Sequence, residues 1–128
     1  MTERKILIVD DEPHIVILLE QVFEDLEDRY GVELLTATEG EDALFMVQSH
    51  RPHLVILDVM LPKISGLEVC QRVKTDPALS ATVIILLTAK GQQFDRQTGL
   101  GMGADYYMTK PFRPRELLSK AKTILGLE

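Results

Sequence analysis

Near its start the chain reads Ile6-Leu7-Ile8-Val9-Asp10-Asp11-Glu12-Pro13, so that four apolar residues are followed by three carboxylates and a proline. A continuously apolar run of this length is typical of a β-strand that is covered on both faces. Proline is favoured at the first position of a helix, and the apolar residues after it recur at helical spacing. The stretch therefore predicts a buried strand and a helix that are joined by an acidic turn.

Similar apolar runs recur along the chain. They begin at residues 6, 32, 54, 83 and 106, so that successive starts lie 26, 22, 29 and 23 residues apart. This spacing holds one strand, one returning helix and two short loops, which is the repeat of a parallel sheet. Glu33 in the second run and the tyrosines of the fifth indicate partly exposed edge strands. We therefore predict an α/β fold with five parallel strands and with helices on both faces of the sheet.

Helix signals fill the intervals between the apolar runs. The predicted helices begin near Pro13, Gly40, Ser65 and Pro114, and a weaker one that glycines interrupt spans residues 92–100. The last of them is expected to run to about Leu125, with Gly126 suited to its end. Together with the strands they predict five helices.

The length and composition bound the possible classes of protein. A chain of 128 residues with 45% hydrophobic residues predicts one globular domain, residues 1–128. Whether Leu127-Glu128 is native or a remnant of expression stays open at this point. The net charge of −6 argues against direct binding of nucleic acid or anionic membranes.

The cysteine content and the hydropathy pattern indicate the compartment. Cys70 is the only cysteine, so no internal disulfide can form, and no signal peptide precedes the first strand. The longest apolar run, Val83 to Leu87, is far shorter than the ~20 residues of a membrane span. We therefore expect a soluble cytoplasmic domain with no membrane contact.

Polar residues follow four of the apolar runs. In an open parallel sheet the ligand site lies at the carboxyl ends of the strands. Asp10, Asp11 and Glu12 follow the first predicted strand and Asp58 the third, whereas Thr88 and Lys110 end the fourth and fifth. If the first and third strands are neighbours, their carboxylates converge and repel one another unless a cation relieves them.

The residue types at these strand ends fit phosphoryl chemistry. Carboxylate oxygens suit Mg²⁺, which also accepts a phosphoryl oxygen as a ligand. A lysine and a hydroxyl beside the carboxylates would stabilise a phosphoryl group, and an aspartate can act as the nucleophile that accepts it.

Four segments of the chain resemble the receiver domains of bacterial two-component response regulators. They are Ile8-Val9-Asp10-Asp11-Glu12-Pro13, Leu57-Asp58-Val59-Met60-Leu61-Pro62, Leu87-Thr88-Ala89 and Thr109-Lys110-Pro111-Phe112. The resemblance covers essentially the whole chain, with the segments in the family's order. It implies a flavodoxin-like sheet with the strand order 2-1-3-4-5.

The resemblance also implies the roles of individual residues. Asp58 would be phosphorylated, and Asp10, Asp11, Asp58 and the Met60 backbone carbonyl would hold Mg²⁺, for which Mn²⁺ can substitute. Thr88 would donate a hydrogen bond to the phosphoryl group, Lys110 would pair with it, and Tyr107 would rotate as part of the switch. The Lys110–Pro111 peptide bond is expected to be cis.

The function that the resemblance implies is that of a signalling switch. The phosphoryl donor would be a histidine kinase or a histidine phosphotransfer protein, and the domain would catalyse only its own phosphoryl transfer and dephosphorylation. The kinase, the signal and the output stay unidentified at this stage.

Two rival functions have distinguishing features. An aspartyl phosphatase would resemble enzymes that place a second aspartate two positions after the nucleophile, where this chain has Met60. A flavin carrier would need a hydroxyl- and glycine-rich phosphate loop after the first strand, where this chain has carboxylates.

A last expectation concerns self-association. Receivers of winged-helix transcription regulators form dimers through cross-subunit ion pairs, and the resemblance to them places Arg96 opposite Glu116. The second pair of that pattern joins an acid to an arginine, but this chain has Tyr106 and Lys120 there. We therefore expect a monomer, or at most a weak dimer that depends on phosphorylation.

Overall fold

The computed structural model describes residues 4–89 and 103–127. Its elements are, in chain order, β1 (Lys5–Val9), α1 (Pro13–Tyr30), β2 (Glu33–Ala37), α2 (Gly40–His50), β3 (Leu54–Asp58), α3 (Gly66–Thr75), β4 (Val83–Ala89), β5 (Tyr106–Lys110) and α4 (Pro114–Leu125). The described residues thus contain four of the five predicted helices. The remaining one, at residues 92–100, lies outside the described residues, as does Arg96.

The five strands form one parallel sheet in the order β2-β1-β3-β4-β5. The prediction of strand order is therefore confirmed, with β2 and β5 at the two edges. β1 and β3 are neighbours, in a register that pairs Val9 with Leu57. Asp10, which follows Val9, and Asp58, which follows Leu57, consequently emerge side by side.

The sheet has a hydrophobic core on each face, because alternate residues of a strand point to opposite sides. Leu7, Val55 and Leu57 belong to the core that contains the buried residues of α2 and α3. Ile6, Ile8 and Ile56 belong to the core that contains those of α1 and α4. All five residues of β3 are buried, as the continuously apolar sequence predicts for a central strand.

The helix ends are set by proline and glycine, as predicted from the sequence. Proline occupies the first turn of α1 and of α4. Gly126 ends α4 with φ 71°, and the N–H of Leu127 donates to the carbonyl of Lys122 at 2.8 Å. The Leu127 side chain packs against the α1/α4 core, so this residue is part of the folded structure. Glu128 lies outside the described residues.

Cys70 of α3 is fully buried and makes no disulfide. Burial raises the pKa of its thiol to about 11. At neutral pH its thiol is therefore uncharged, and Cys70 packs as a small apolar residue of the core. None of the helices in the described part of the chain is both long and apolar enough for a bilayer crossing.

The core on each face of the sheet predicts that alanine substitutions of two phenylalanines differ greatly in their effect on stability. Phe23 of α1 is fully buried, whereas Phe45 of α2 is 64% exposed. We expect Phe23→Ala to lower the free energy of unfolding by about 3–5 kcal/mol, because it removes apolar contacts and leaves a cavity. Phe45→Ala, the matched control, should change it by less than about 0.5 kcal/mol. Urea denaturation of the two variants measures the difference, and equal losses would contradict this description of the core.

Candidate functional site

Two buried aspartates lie side by side at the carboxyl edge of the sheet. Asp10 directly follows β1 and is 0% exposed, and Asp58 ends β3 and is 3% exposed. Both positions follow from the parallel register of β1 with β3. The convergence predicted from the two strand ends is therefore present in the fold.

A third carboxylate completes the cluster. One carboxylate oxygen each from Asp10, Asp11 and Asp58 can be chosen so that all three lie within 4.8 Å of one another. Asp11 is exposed, so the cluster is open to solvent on its side. Asp11 is consequently the carboxylate of the cluster that solvent reaches, whereas Asp10 and Asp58 are buried.

Among the described residues, Lys110 brings a positive charge to this cluster. Its Nζ lies 2.8 Å from Oδ2 of Asp10 and 3.5 Å from Oδ2 of Asp58. A third carboxylate oxygen, Oε1 of Glu12, lies 3.6 Å away. Lys110 ends β5, and the peptide bond between it and Pro111 is cis. The ammonium group thus crosses from the edge strand to the middle of the sheet.

The second oxygen of each buried aspartate accepts a backbone hydrogen bond. The N–H of Glu12 donates to Oδ1 of Asp10 at 2.9 Å, and the N–H of Met60 donates to Oδ1 of Asp58 at 3.3 Å. Both carboxylates are therefore held between a backbone N–H and the Lys110 ammonium. The contacts of Asp58, at 3.3 and 3.5 Å, are longer than those of Asp10, at 2.9 and 2.8 Å.

The predicted hydroxyl and aromatic residues lie on β4 and β5. Thr88 is buried and follows Leu87, which is in register with Asp58. It pairs in turn with Thr109, the residue before Lys110. The sheet therefore brings Thr88 to the carboxyl edge that holds the aspartates. Tyr107 is half-buried and lies nearer the amino end of β5, in register with Leu86.

Three of the four residues predicted for self-association lie on β5 and α4, namely Tyr106, Glu116 and Lys120. Tyr106 is 38% exposed, and the Nζ of Lys120 lies 4.3 Å from the centre of its ring. Glu116 is exposed and, with these two residues, lines a shallow surface cavity of about 320 Å³.

Burial and the charge of Asp10 together raise the pKa of Asp58 from its ordinary value of 3.8 to about 6. The Lys110 charge and the hydrogen bond from Met60 oppose this rise, but they are too weak to cancel it. Burial lowers the pKa of Lys110, but its hydrogen bond to Asp10 and the neighbouring carboxylates outweigh that effect and raise it. At neutral pH the site therefore holds an ionised Asp58 beside a charged lysine.

The donor set fits a divalent cation. Among the described residues, the three clustered carboxylates outnumber the single Lys110 ammonium, so negative charge is in excess in this partly buried volume. Hard oxygen ligands that are few in number suit Mg²⁺, which keeps several of its waters. Asp10, Asp11 and Asp58 could hold such an ion. The Met60 backbone carbonyl stays a predicted fourth ligand, since Met60 is placed two residues after Asp58 in an exposed loop.

Two features of the site were not predicted from the sequence. One is the proximity of the Glu12 side chain to Lys110, and the other is the pair of backbone donors at Glu12 and Met60. Glu12 belongs to the acidic run of residues 10–12 that follows the first strand, so the sequence does carry a signal for its presence near the site. The backbone donors depend on the path of two loops, for which no residue type is a signal.

Comparison with known proteins gives the family. A model of the response regulator receiver domain matches residues 6–122. The alkaline phosphatase synthesis transcriptional regulatory protein PhoP of Bacillus subtilis is 47% identical over 122 residues, which are 95% of this chain and 48% of PhoP. The chain spans about half the length of the curated relatives it matches.

Solved structures agree with this assignment. The chemotaxis response regulator CheY4 of Vibrio cholerae is 31% identical with a TM-score of 0.82, and 96% of this chain matches 99% of that one. The BeF3-activated DrrB receiver domain is 35% identical with a TM-score of 0.81, and 98% of this chain matches 99% of that one.

The raised pKa of Asp58 predicts how its charge affects stability. A carboxyl group whose pKa is higher in the folded state stabilises the fold when protonated, and this stabilisation is lost as the pH rises through about 6. In metal-free buffer at pH 8 we therefore expect Asp58→Asn to raise the free energy of unfolding by on the order of 2 kcal/mol. Below about pH 4, where Asp58 is protonated even when unfolded, the gain should vanish.

Chemical denaturation of both proteins across this pH range measures the difference. Asp25→Asn is the control, because Asp25 is exposed and pairs with Arg29 only at 3.8 Å. A variant at position 58 that is less stable than the wild type at pH 8 would contradict the description of the site.

Proposed function

The chain belongs to the response regulator receiver domain family, and we propose that it accepts a phosphoryl group on Asp58 from a histidine kinase or a histidine phosphotransfer protein. The observation that favours Asp58 over the other buried carboxylate, Asp10, is that the contacts to its oxygens are longer. Both oxygens of Asp10 have partners within 2.9 Å, whereas those of Asp58 have partners at 3.3 and 3.5 Å. Asp58 is thus the buried carboxylate whose oxygens are freer to attack.

The reaction is a transfer between two nucleophiles. An oxygen of Asp58 attacks the phosphorus of the donor phosphohistidine, and a P–O bond forms as the P–N bond breaks. The imidazole leaves with the electron pair of the broken bond and regains a proton from solvent. Lys110 shifts its ammonium from the carboxylates toward the phosphoryl oxygens and stabilises their charge, because it already lies 3.5 Å from the attacking group.

Asp10, Asp11, Asp58 and the Met60 carbonyl would hold Mg²⁺, which would supply further charge neutralisation, and Mn²⁺ is the expected substitute. We assign to the Thr88 hydroxyl a hydrogen bond that it donates to the phosphoryl group, because the register of β4 brings this residue to the same edge of the sheet as Asp58. Tyr107, half-buried next to β4, is the aromatic residue that we assign to the accompanying switch.

The domain is a signalling switch, since the phosphoryl group stays on the protein. Slow hydrolysis of the acyl phosphate by the same site is the only turnover that we propose. The two rival functions lack support at the site. An exposed Met60 occupies the position of the phosphatase's second aspartate, and three carboxylates would repel a flavin phosphate.

The protein context is also a proposal. We take residues 1–128 as one receiver domain, and the name of PhoP suggests control of transcription as the output. Direct contact with nucleic acid would then fall to another part of a longer protein, because this chain has a net charge of −6. We place the reaction in the cytoplasm, whose reducing conditions keep a lone cysteine such as Cys70 unpaired.

We expect acetyl phosphate with Mg²⁺ to add one phosphoryl group to the wild-type chain. Asp58→Asn removes the nucleophile and EDTA removes the metal, so either should abolish the added mass. Lys110→Met should slow the reaction by about 100-fold, because an electrostatic contact to the reacting group is lost. Intact-mass spectrometry over time measures all four conditions.

Lys5→Met is the matched control for the lysine variant. Lys5 begins β1, at the opposite end of this strand from Asp10, and pairs with Glu33 at 3.7 Å. The Lys5→Met variant should be phosphorylated at the wild-type rate. Equal modification of Asp58→Asn and the wild type would refute the assignment of the acceptor.

Self-association through β5 and α4 is expected to be weak. The Lys120 ammonium already lies over the Tyr106 ring of its own chain, so an ion pair across a subunit boundary would compete with this contact. An exposed ion pair contributes only about 0.2–1 kcal/mol, and two-fold symmetry doubles its loss. Arg96, which the family pattern pairs with Glu116, lies outside the described residues.

Sedimentation with and without beryllofluoride tests this expectation. The wild type should remain largely monomeric in both states at micromolar concentration. The double variant Tyr106→Asp, Lys120→Arg restores the acid and the guanidinium, and it should dimerise more tightly once beryllofluoride is bound. A tight wild-type dimer that Tyr106→Asp disrupts would show instead that the tyrosine itself forms the interface.

A further inference from the structure

The first residue of α3 packs directly against the backbone of Asp58. A Cβ atom built on Gly66 would lie 2.0 Å from the carbonyl oxygen of Asp58 and 2.9 Å from its carbonyl carbon. No side chain fits at such distances, and the nearest atoms belong to the backbone, which cannot rotate away. Gly66 is therefore required for close approach, in the way glycine serves wherever two backbones touch.

Val59, the residue after Asp58, uses both its backbone N–H and its carbonyl in hydrogen bonds. The N–H of Val59 donates to the carbonyl of Leu87 in β4 at 2.9 Å, and the N–H of Gly66 donates to the carbonyl of Val59 at 2.9 Å. The Asp58–Val59 peptide is consequently held between β4 and the first turn of α3. Its position determines where the Asp58 side chain leaves the sheet.

A second glycine packs against the other end of the loop that follows Asp58, residues 59–65. A Cβ atom on Gly40, the first residue of α2, would lie 2.4 Å from the carbonyl oxygen of Ile64. Beside it, Lys63 pairs with Glu39 at 3.0 Å across the same boundary. The loop of residues 59–65 is thus packed against the first residues of two helices.

We infer that Gly66 is a positioning residue for phosphoryl transfer, and that Gly40 supports it by fixing the far end of the loop. The inference rests on the proposed role of Asp58. Neither glycine touches the reacting atoms. They act by allowing two helix starts to close on the loop that follows the acceptor.

A side chain at position 66 must displace either α3 or the Asp58–Val59 peptide. Helix α3 is anchored by Val69, Cys70 and Val73, which are buried in the core. The Ser65 hydroxyl accepts a hydrogen bond from the N–H of Glu68 and so keeps the first turn of the helix in place. Moving the helix would open that core, whereas moving one peptide plane would not. The methyl group of Gly66→Ala is therefore expected to shift Asp58 by about 1 Å, a misplacement that can cost about 100-fold in rate.

The test compares Gly66→Ala with Gly31→Ala. Gly31 ends α1 at φ 68° with no atom within 4 Å of a built Cβ, so alanine there strains only the local backbone. Each variant is assayed well below its melting temperature for the rate constant of phosphorylation by acetyl phosphate at saturating Mg²⁺. Calorimetry gives the dissociation constant of Mg²⁺ without phosphoryl donor, and thermal denaturation gives the melting temperature.

We expect Gly66→Ala to lose about 100-fold in rate and to bind Mg²⁺ more weakly, because the shifted carboxylate is also a metal ligand. Gly31→Ala should lower the melting temperature but leave the rate and the Mg²⁺ affinity unchanged. A wild-type rate and wild-type Mg²⁺ affinity in folded Gly66→Ala would overturn the inference. They would show that the substitution displaces α3 and leaves Asp58 in place.

Two further results keep the test decisive. If Gly66→Ala does not fold, Gly40→Ala replaces it, and the expected result is a smaller loss of rate in the same direction; an unchanged rate would overturn the inference. If the wild type is not modified on Asp58, the proposed function fails. The Mg²⁺ affinities of the two variants then still decide whether Gly66 positions the carboxylate.

Discussion

The Lys110 ammonium lies 2.8 Å from Asp10 and 3.5 Å from Asp58, two carboxylates that the sheet buries almost completely. Without that cation two like charges would stand side by side at low exposure, an arrangement that is costly in free energy. The balance is incomplete, because burial and Asp10 still raise the pKa of Asp58 to about 6. The three clustered carboxylates also outnumber the single Lys110 ammonium among the described residues, and this imbalance of charge favours further positive charge at the site.

The parallel sheet is what makes this imbalance possible. β1 and β3 lie next to each other in the middle of the sheet, so their carboxyl ends deliver Asp10 and Asp58 to one point. β5 is at the edge, and only a long side chain such as that of Lys110 reaches from there to the central carboxylates. The same edge also receives Thr88 from β4, so the four predicted site segments meet on one side of the fold.

Sequence patterns predicted the elements and the site residues because each is a local signal. Asp10 and Asp58 follow continuously apolar runs, and Pro114 and Gly126 bound α4 as expected. The hydrogen-bond distances at the two buried carboxylates were not predictable from the sequence. Asp10 accepts a shorter backbone hydrogen bond than Asp58 because the loops that follow β1 and β3 take different paths. Gly66 looked like a helix start, and only its distance from the Asp58 carbonyl shows a second role. The stacking of Lys120 on Tyr106 likewise joins residues fourteen positions apart in the sequence.

The most direct test of the central claim identifies the modified atom itself. Borohydride reduces an acyl phosphate to an alcohol, so a phosphorylated aspartate becomes homoserine and keeps a permanent record of its position. After treatment with acetyl phosphate and Mg²⁺, reduction and proteolysis, tandem mass spectrometry should find homoserine at position 58 and aspartate at positions 10 and 11. Homoserine at position 10 or 11, or none at position 58, would contradict the account of how this site works.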